Sequence, residues 1–276
     1  MLFMDLDGTL LNDQKQVSKG NRLALQQALE RGHAAVITTG RPLASGKVLA
    51  QKLGLDRPGC YLIAYNGAEI YDWGQETVLF SNTLGFPQVR KIFEEANRRG
   101  LHVQAYDRQR VLVEPRCDNE TVRRYCTGTE TEFAVIGDIR RDLTEEPAKV
   151  LVMDYEDMSP LLSMQAWAQT ELKGEADCVI SSSYTLDFMA CGMSKGAAVK
   201  KLCQLMGVDL KNAVAVGDAA NDLSMIEAAG SGVAMCNGTD EVKAAAQYIT
   251  RRDNNHDGIA EVVERFLGEP AEQEGQ

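Results

Sequence analysis

Two aspartates near the start of the chain, Asp5 and Asp7, are the residues whose type and spacing most clearly indicate chemistry. They follow the apolar run Leu2–Met4, which predicts a short buried strand. Side chains two positions apart in an extended chain project to the same face, so we expect the two carboxylates to lie side by side. Carboxylates that close repel each other unless they share a proton or a cation. The pair therefore indicates a site for a hard cation such as Mg²⁺, where Gly8 permits a sharp turn and Thr9 offers a hydroxyl.

A second polar set follows the apolar run 213–216. It reads Gly-Asp-Ala-Ala-Asn-Asp and contains Asp218, Asn221 and Asp222. If both runs are strands of one sheet, Asp218 meets the first pair, and three carboxylates in one cleft require a divalent cation. Two simpler interpretations stay open. Asp-Gly is a common turn pair, and Asn221 or Asp222 is a good N-cap for the helix that follows.

Four further residues could bind an anion beside these carboxylates. Lys195 directly precedes a predicted helix and is the natural counter-charge for a carboxylate and a phosphate, although a solvated surface lysine is the simpler alternative. Thr39 and Gly40 offer a hydroxyl and an unhindered N–H, although Thr39 is also a plausible helix N-cap. Arg41 could bind a second polar group, unless it is only solvated at the surface.

The elements that must position these residues alternate between strands and helices. Strands are predicted at 34–38, 61–64, 213–216, 232–235 and 248–250, and amphipathic stretches such as 18–31 and 196–206 lie between them. This alternation predicts an α/β fold with a Rossmann-like core and a parallel sheet. Ligands of such sheets bind beyond the carboxyl ends of the strands, and Asn66 and Gly67 follow the strand at 61–64.

The pattern changes between residues 82 and 187, where strands are paired more closely. We predict an inserted α+β domain there, with the core formed by 1–81 and 188–276. The acidic tail 268–276 has no apolar face and is expected to fray.

Composition excludes several classes of function. The chain has 276 residues, 44% of them apolar and 25% charged, with a net charge of −11 that disfavours nucleic-acid binding. No apolar run is long enough for a transmembrane helix, and the N-terminus does not resemble a signal peptide. The seven cysteines form no CxxC pair, which favours reduced thiols and a cytoplasmic location. The oligomeric state stays open.

The motifs together resemble one family. In order, the chain carries DLDGT at 5–9, TGR at 39–41, NGA at 66–68, SKG at 194–196, GDAAND at 217–222 and NNHDGIA at 254–260. This set resembles the Cof-type phosphatases of the haloacid dehalogenase (HAD) superfamily, those with a type IIB cap. The resemblance implies that the insert is an α/β cap that closes over the core.

The resemblance also implies a role for each motif residue. Asp5 would be the nucleophile that forms an aspartyl-phosphate, and Asp7 the acid and base. Mg²⁺ would be bound by Asp5, the backbone carbonyl of Asp7 and Asp218, with Asp222 in support. Those implied to hold the phosphoryl group or the substrate are Thr39, Gly40, Arg41, Asn66, Gly67, Lys195 and Asn221.

The resulting prediction is an Mg²⁺-dependent phosphatase of small phosphorylated metabolites, with sugar phosphates first. A phosphomutase that uses the same intermediate, or a metabolite-binding protein without turnover, are the alternatives. The substrate should be selected by the cap, where Tyr184 and Asp187 are candidate contacts.

Overall fold

The computed structural model describes residues 1–268, which form two β-sheets with helices packed on them. The predicted tail, 268–276, lies outside the described residues from 269 onwards. No helix within 1–268 is long and apolar enough to cross a membrane.

The larger sheet has eight strands and contains the N-terminal strand at its centre. In spatial order the strands are β14 (Tyr248–Ile249), β13 (Ser231–Ala234), β12 (Val214–Gly217), β1 (Leu2–Met4), β2 (Ala35–Thr38), β3 (Cys60–Ala64), β4 (Glu69–Asp72) and β5 (Thr77–Ser81). The first six are parallel, and β4 and β5 continue as an antiparallel edge. Because β1 pairs with β2 on one side and β12 on the other, all three strands end at one edge of the sheet.

Helices cover both faces of this sheet, which explains why its central strands are apolar throughout. Leu2, Phe3 and Met4 are at most 1% exposed. The helices of this part are α1 (Lys19–Glu30), α2 (Leu43–Leu53), α7 (Lys195–Met206), α8 (Leu223–Ala228), α9 (Asp240–Ala245) and α10 (Gly258–Phe266). One hydrophobic cluster lies between the sheet and helices α1 and α10, and a second lies on the other face, between the sheet and α7.

The smaller sheet has six strands and lies in the inserted part of the chain. Its spatial order is β10 (Ala176–Ser182), β11 (Thr185–Ala190), β9 (Val150–Met153), β6 (His102–Tyr106), β7 (Arg110–Val113) and β8 (Glu132–Val135). Its helices are α3 (Phe86–Arg98), α4 (Glu120–Thr129), α5 (Ile139–Asp142) and α6 (Ser159–Glu171). We call this sheet with its four helices the cap and the larger sheet with its six helices the core.

The predicted fold class, a parallel α/β core with an inserted α+β cap, is confirmed. Sequence reasoning missed β8 and α5, which are only four residues long each. The domain limits stay a prediction. The proposed limit between 187 and 188 falls inside β11, which runs to Ala190.

His102 on β6 is buried in the cap and should make stability depend on pH. It is 7% exposed, and burial lowers its pKa from 6.5 to about 4. The unfolded chain therefore takes up a proton at a higher pH than the folded chain does. The stabilisation is complete above pH 6.5 and is lost as the pH falls towards 4.

We predict that His102→Gln removes part of this pH dependence, because glutamine does not titrate. Between about pH 7.5 and about pH 5, the wild type should lose roughly 2 kcal/mol more unfolding free energy than the variant. Urea unfolding at both pH values measures the difference. Equal losses in the two proteins would contradict the prediction.

Candidate active site

The turn after β1 brings the first carboxylate into a buried position beside the loop that follows β12. Asp5 is 7% exposed, and its backbone N–H donates to the carbonyl of Val216 at 3.0 Å. Gly8 has φ +88°, and a Cβ placed there would lie 2.4 Å from Oδ2 of Asp218. Only glycine therefore allows both the left-handed turn and the close approach of the two loops.

Asp5, Asp218 and Asp222 form one cluster. Each contributes a carboxylate oxygen that lies within 4.8 Å of the other two. The Thr9 hydroxyl donates to Oδ1 of Asp218 at 2.6 Å. Oδ2 of Asp222 accepts the backbone N–H of Asp218 at 2.9 Å, so it fixes the loop rather than the start of α8. The N-cap alternative is therefore confirmed for the position of Asp222, which is the N-cap residue of α8, but its side chain makes no capping hydrogen bond to that helix.

Lys195 supplies the positive charge of this cluster. It is the first residue of α7, it follows the N-cap Ser194, and its side chain is completely buried. Its Nζ donates to Oδ1 of Asp5 at 2.5 Å and to Oδ1 of Asp222 at 2.6 Å. Burial opposes the charge, but the two carboxylates outweigh it and raise the pKa of Lys195. The alternative of a solvated surface lysine is excluded.

The single positive charge of Lys195 does not neutralise the three carboxylates of the cluster. Burial and the charges of Asp222 and Asp218 raise the pKa of Asp5 well above its usual range, although Lys195 acts against them. Burial, with the charge of Asp222, likewise raises the pKa of Asp218 to about 6. Buried carboxylate oxygens with excess negative charge are the donor set that suits a hard divalent cation.

The Asp7 carboxylate lies outside this cluster and faces two cations. Nε and Nη2 of Arg41 donate to its two oxygens at 3.0 and 2.9 Å, and Nζ of Lys15 donates to Oδ1 at 2.8 Å. Burial would raise the pKa of Asp7, but these partners, Arg41 first, lower it. Arg41 is 17% exposed in its side chain, so it is not a solvated surface residue.

The loop between β1 and α1, which carries Lys15 to Asp7, is held by the motif at 254–260. Nδ2 of the buried Asn254 donates to the Leu11 carbonyl and to Oδ1 of Asp13, both at 3.1 Å. Nearby, the Ser18 hydroxyl donates to Oδ1 of Asp257 at 2.5 Å. The motif at 254–260 thus anchors the loop between β1 and α1.

Thr39 and Gly40 lie where β2 ends. Thr39 is 2% exposed and its hydroxyl accepts the backbone N–H of Arg41 at 3.1 Å. Helix α2 begins at Leu43 with Pro42 at its N-cap position, so Thr39 does not cap the helix.

The turn after β3 joins the core to the cap. Asn66 has φ +53°, and Gly67 has φ +110°, where a Cβ would lie 2.3 Å from the Ser194 carbonyl oxygen. Nδ2 of Asn66 donates to Oδ2 of Asp187 on β11, and its Oδ1 accepts from Nδ2 of Asn221 at 3.2 Å. Asn66 is therefore hydrogen-bonded to the cap on one side and to the loop after β12 on the other.

A buried ion pair completes this connection. Nζ of Lys149 donates to Oδ1 of Asp187 at 3.1 Å and to the carbonyl of Gly40 in the core at 2.7 Å. Both side chains are at most 3% exposed. The chain of contacts Lys149–Asp187–Asn66–Asn221, together with the Gly40 carbonyl, is called the bridging network below.

A cavity of about 570 Å³ lies between core and cap and opens onto Asp5. Six predicted site residues line it, and so do both predicted cap contacts: Asp5, Asp7, Thr39, Gly40, Arg41, Asn221, Tyr184 and Asp187. The other predicted site residues do not line it: Asn66, Gly67, Lys195, Asp218 and Asp222.

Sequence reasoning missed several residues of the cavity wall. They are Lys15, Arg124, Tyr125, Gly128, Thr129, Lys149, Leu151, Tyr155, Ser181, Ser182, Thr185 and Ala219. The sequence does give an indication for Lys149, because burying a lysine directly before the apolar run of β9 costs free energy unless the lysine is paired with a carboxylate. Ala219 lies within the motif at 217–222, and the others belong to no motif.

Comparison with known proteins agrees with this geometry. A family model described as haloacid dehalogenase-like hydrolase matches residues 2–263. The chain belongs to this family. Pyridoxal phosphate phosphatase YbhA of Escherichia coli (strain K12) is 31% identical over 275 residues, which cover 97% of this chain and 98% of YbhA.

Solved structures extend the same result. A haloacid dehalogenase-like hydrolase from Bacteroides thetaiotaomicron matches with a TM-score of 0.85 and 32% identity. The match covers 96% of this chain and 98% of the hydrolase chain. The HAD subclass IIB sugar phosphatase BT4131, with a TM-score of 0.81 and 22% identity over the same shares, has the same fold. The predicted membership in the Cof-type phosphatases and the predicted class, phosphoric monoester hydrolase, are confirmed.

We predict that Gly8→Ala lowers kcat/KM by about 100-fold, because the added Cβ displaces the Asp218 carboxylate. Gly32→Ala is the matched control. Gly32 also has a positive φ, +84°, but a Cβ there meets nothing within 4 Å. Both variants should lose about 1 kcal/mol of stability to backbone strain, and only Gly8→Ala should lose activity. Steady-state kinetics measures the activity and thermal unfolding measures the stability. Full activity in both variants would refute the prediction.

A second prediction concerns the buried ion pair. Lys149→Met should lower the unfolding free energy by roughly 3–5 kcal/mol, because Asp187 is left buried without its counter-charge. The double variant Lys149→Met/Asp187→Asn should recover a large part of this loss, since a neutral amide costs less to bury. Urea unfolding of both variants decides the matter. Equal destabilisation of single and double variants would show that the pairing is not the cause.

Proposed function

We propose that this HAD hydrolase is an Mg²⁺-dependent phosphatase that acts on small phosphorylated metabolites through an aspartyl-phosphate on Asp5. The observation that carries the proposal is the position of Asp5. It is buried, ion-paired to Lys195, adjacent to two further carboxylates, and open to a cavity large enough for a metabolite.

The donor set fits Mg²⁺, which Asp5, Asp218 and the Asp7 carbonyl would hold, with Asp222 in support. Burial and mutual repulsion raise the pKa values of Asp5 and Asp218, which is the imbalance that a divalent cation relieves. When bound, the cation neutralises negative charge on the carboxylates and on the phosphoryl oxygens.

In the first step, an oxygen of Asp5 attacks phosphorus while the bond from phosphorus to the leaving alcohol oxygen breaks. Asp7 gives that oxygen a proton. In the second step, Asp7 takes a proton from a water molecule, which attacks phosphorus and frees Asp5 and inorganic phosphate. Thr39, Gly40, Lys195 and Asn221 hold the phosphoryl oxygens.

Arg41 and Lys15 lower the pKa of Asp7 and so disfavour the protonated form that would serve as the acid. A bound phosphate ester offers Arg41 a different anion. We infer that Arg41 moves from Asp7 to substrate, which frees Asp7 to carry a proton.

Asn66 and Gly67 are predicted to contact substrate but do not line the cavity. We propose a positioning role for both. Asn66 orients Asn221 through a 3.2 Å hydrogen bond, and Gly67 lets its turn approach the Ser194 carbonyl at the start of α7.

Sugar phosphates are the substrates that we propose first, in line with the size of the cavity and the sugar phosphatase among the structural relatives. The net charge of −11 argues against nucleic-acid substrates. A cytoplasmic location is inferred from the seven cysteines, all of which are free.

The test is hydrolysis of 4-nitrophenyl phosphate with Mg²⁺ and with a chelator. Phosphate release should depend on Mg²⁺, and Asp5→Asn should lower kcat by at least about 1000-fold, because the amide is a poor nucleophile. The exposed Asp56 provides a matched control, and Asp56→Asn should keep wild-type activity. Undiminished activity of Asp5→Asn would refute the proposal.

A further inference from the structure

The part of the cavity farthest along the cap is formed by one face of α4. Arg124, Tyr125, Gly128 and Thr129 line it, and the four-residue spacing places Arg124 and Gly128 on successive turns of the same face. None of these residues takes part in the proposed chemistry. This wall, with Tyr155 and Tyr184, is called the cap wall.

Arg124 differs from the other cations that line the cavity. Lys15 and Arg41 are paired with Asp7, and Lys149 is paired with Asp187. Within residues 1–268, the side chain of Arg124 makes no ion pair with a carboxylate and no hydrogen bond. Its N–H donors are therefore available to a ligand.

Stacking holds this guanidinium in place. Its central carbon lies 4.1 Å from the ring centre of Tyr155, and the Tyr155 ring stacks on Tyr184 with centroids 4.6 Å apart and planes inclined by 30°. A stacked guanidinium keeps its in-plane N–H groups free, and these fit the two oxygens of a carboxylate or phosphate.

Gly128 leaves room beside Arg124. Glycine is a poor residue for the interior of a helix, yet it lies within α4. A Cβ at this position would meet nothing within 4 Å. The hydroxyls of Ser181 and Ser182, which both hydrogen-bond to Thr185, add polar groups to the same cavity.

We propose that the cap wall binds a second anionic group of the substrate and that Arg124 is the residue that recognises it. The preferred substrates are then phosphate monoesters whose leaving alcohol carries a carboxylate or a second phosphate. This inference rests on the proposed phosphatase function, because it assumes that the scissile phosphate lies at Asp5.

The experiment compares three esters of similar size: glucose 6-phosphate, 6-phosphogluconate and glucose 1,6-bisphosphate. The last two carry the second anion as a carboxylate or a phosphate. Arg124→Gln should lower kcat/KM for one or both of these by about tenfold or more, mainly through KM, and should change the value for glucose 6-phosphate far less. Arg124→Lys should recover part of the loss.

Arg123→Gln is the matched control on the same helix. Arg123 pairs with Asp118 at 2.5 Å and does not line the cavity. Arg123→Gln therefore removes the same charge, and it should leave the ratios of kcat/KM between the three esters unchanged. Gly128→Leu is a second variant, which should raise KM for the two doubly anionic esters by filling the space beside Arg124. Equal losses for all three esters in Arg124→Gln, or equal changes in Arg123→Gln, would overturn the proposal.

Direct binding separates this inference from the proposed function. Calorimetry with Asp5→Asn and with Asp5→Asn/Arg124→Gln gives Kd for each ester without turnover. If the wild type hydrolyses none of the esters, the phosphatase proposal fails, and the Arg124 dependence of Kd still decides the inference. A Kd for 6-phosphogluconate and for the bisphosphate that does not depend on Arg124 refutes it.

Discussion

Repulsion between Asp5, Asp218 and Asp222 in a desolvated pocket is the constraint on which the rest of the structure depends. Two parallel strands, β1 and β12, deliver these groups from opposite ends of the chain to the same edge of the sheet. The buried ammonium of Lys195 compensates for only part of the negative charge. Such an arrangement persists because the surrounding core holds it in place, and its unrelieved negative charge is the basis for proposing a bound divalent cation and a nucleophilic Asp5.

The cap is connected to the core through apolar packing, such as Tyr65 against Tyr106 of β6, and beside the pocket through polar contacts. The bridging network runs from Lys149 and Asp187 in the cap to Asn66 and Asn221 in the core. Each member is buried or half-buried and satisfied by the next, so a shift of the cap changes hydrogen bonds beside the residue proposed to hold phosphate. The position of the cap and the position of the loop after β12 are thereby linked.

Sequence reasoning identified the residues around Asp5 that are proposed to be catalytic, and little of the cap side of the cavity. Asp5, Asp7, Thr39, Lys195 and Asp218 were identifiable because each follows an apolar strand or precedes a helix at a fixed place in a motif. The pairing of Asp7 with Lys15 and Arg41 could not be predicted, since it depends on how a loop anchored by residue 254 folds back. Arg124, Tyr155 and Gly128 carry no local pattern. They come together only through the packing of α4 against the end of β9, which is a tertiary property.

The separation of the bridging network from the cap wall has an evolutionary consequence. Neither Arg124 nor Tyr155 hydrogen-bonds to any member of the network within residues 1–268, whereas Asp187 is tied directly to the core. Mutations on the cavity-facing side of α4 can therefore accumulate under selection for a new leaving group while the residues proposed for phosphoryl transfer stay unchanged. A gene duplicate of such a protein would need few steps to diverge, because the surface proposed for recognition and the centre proposed for the reaction can change separately.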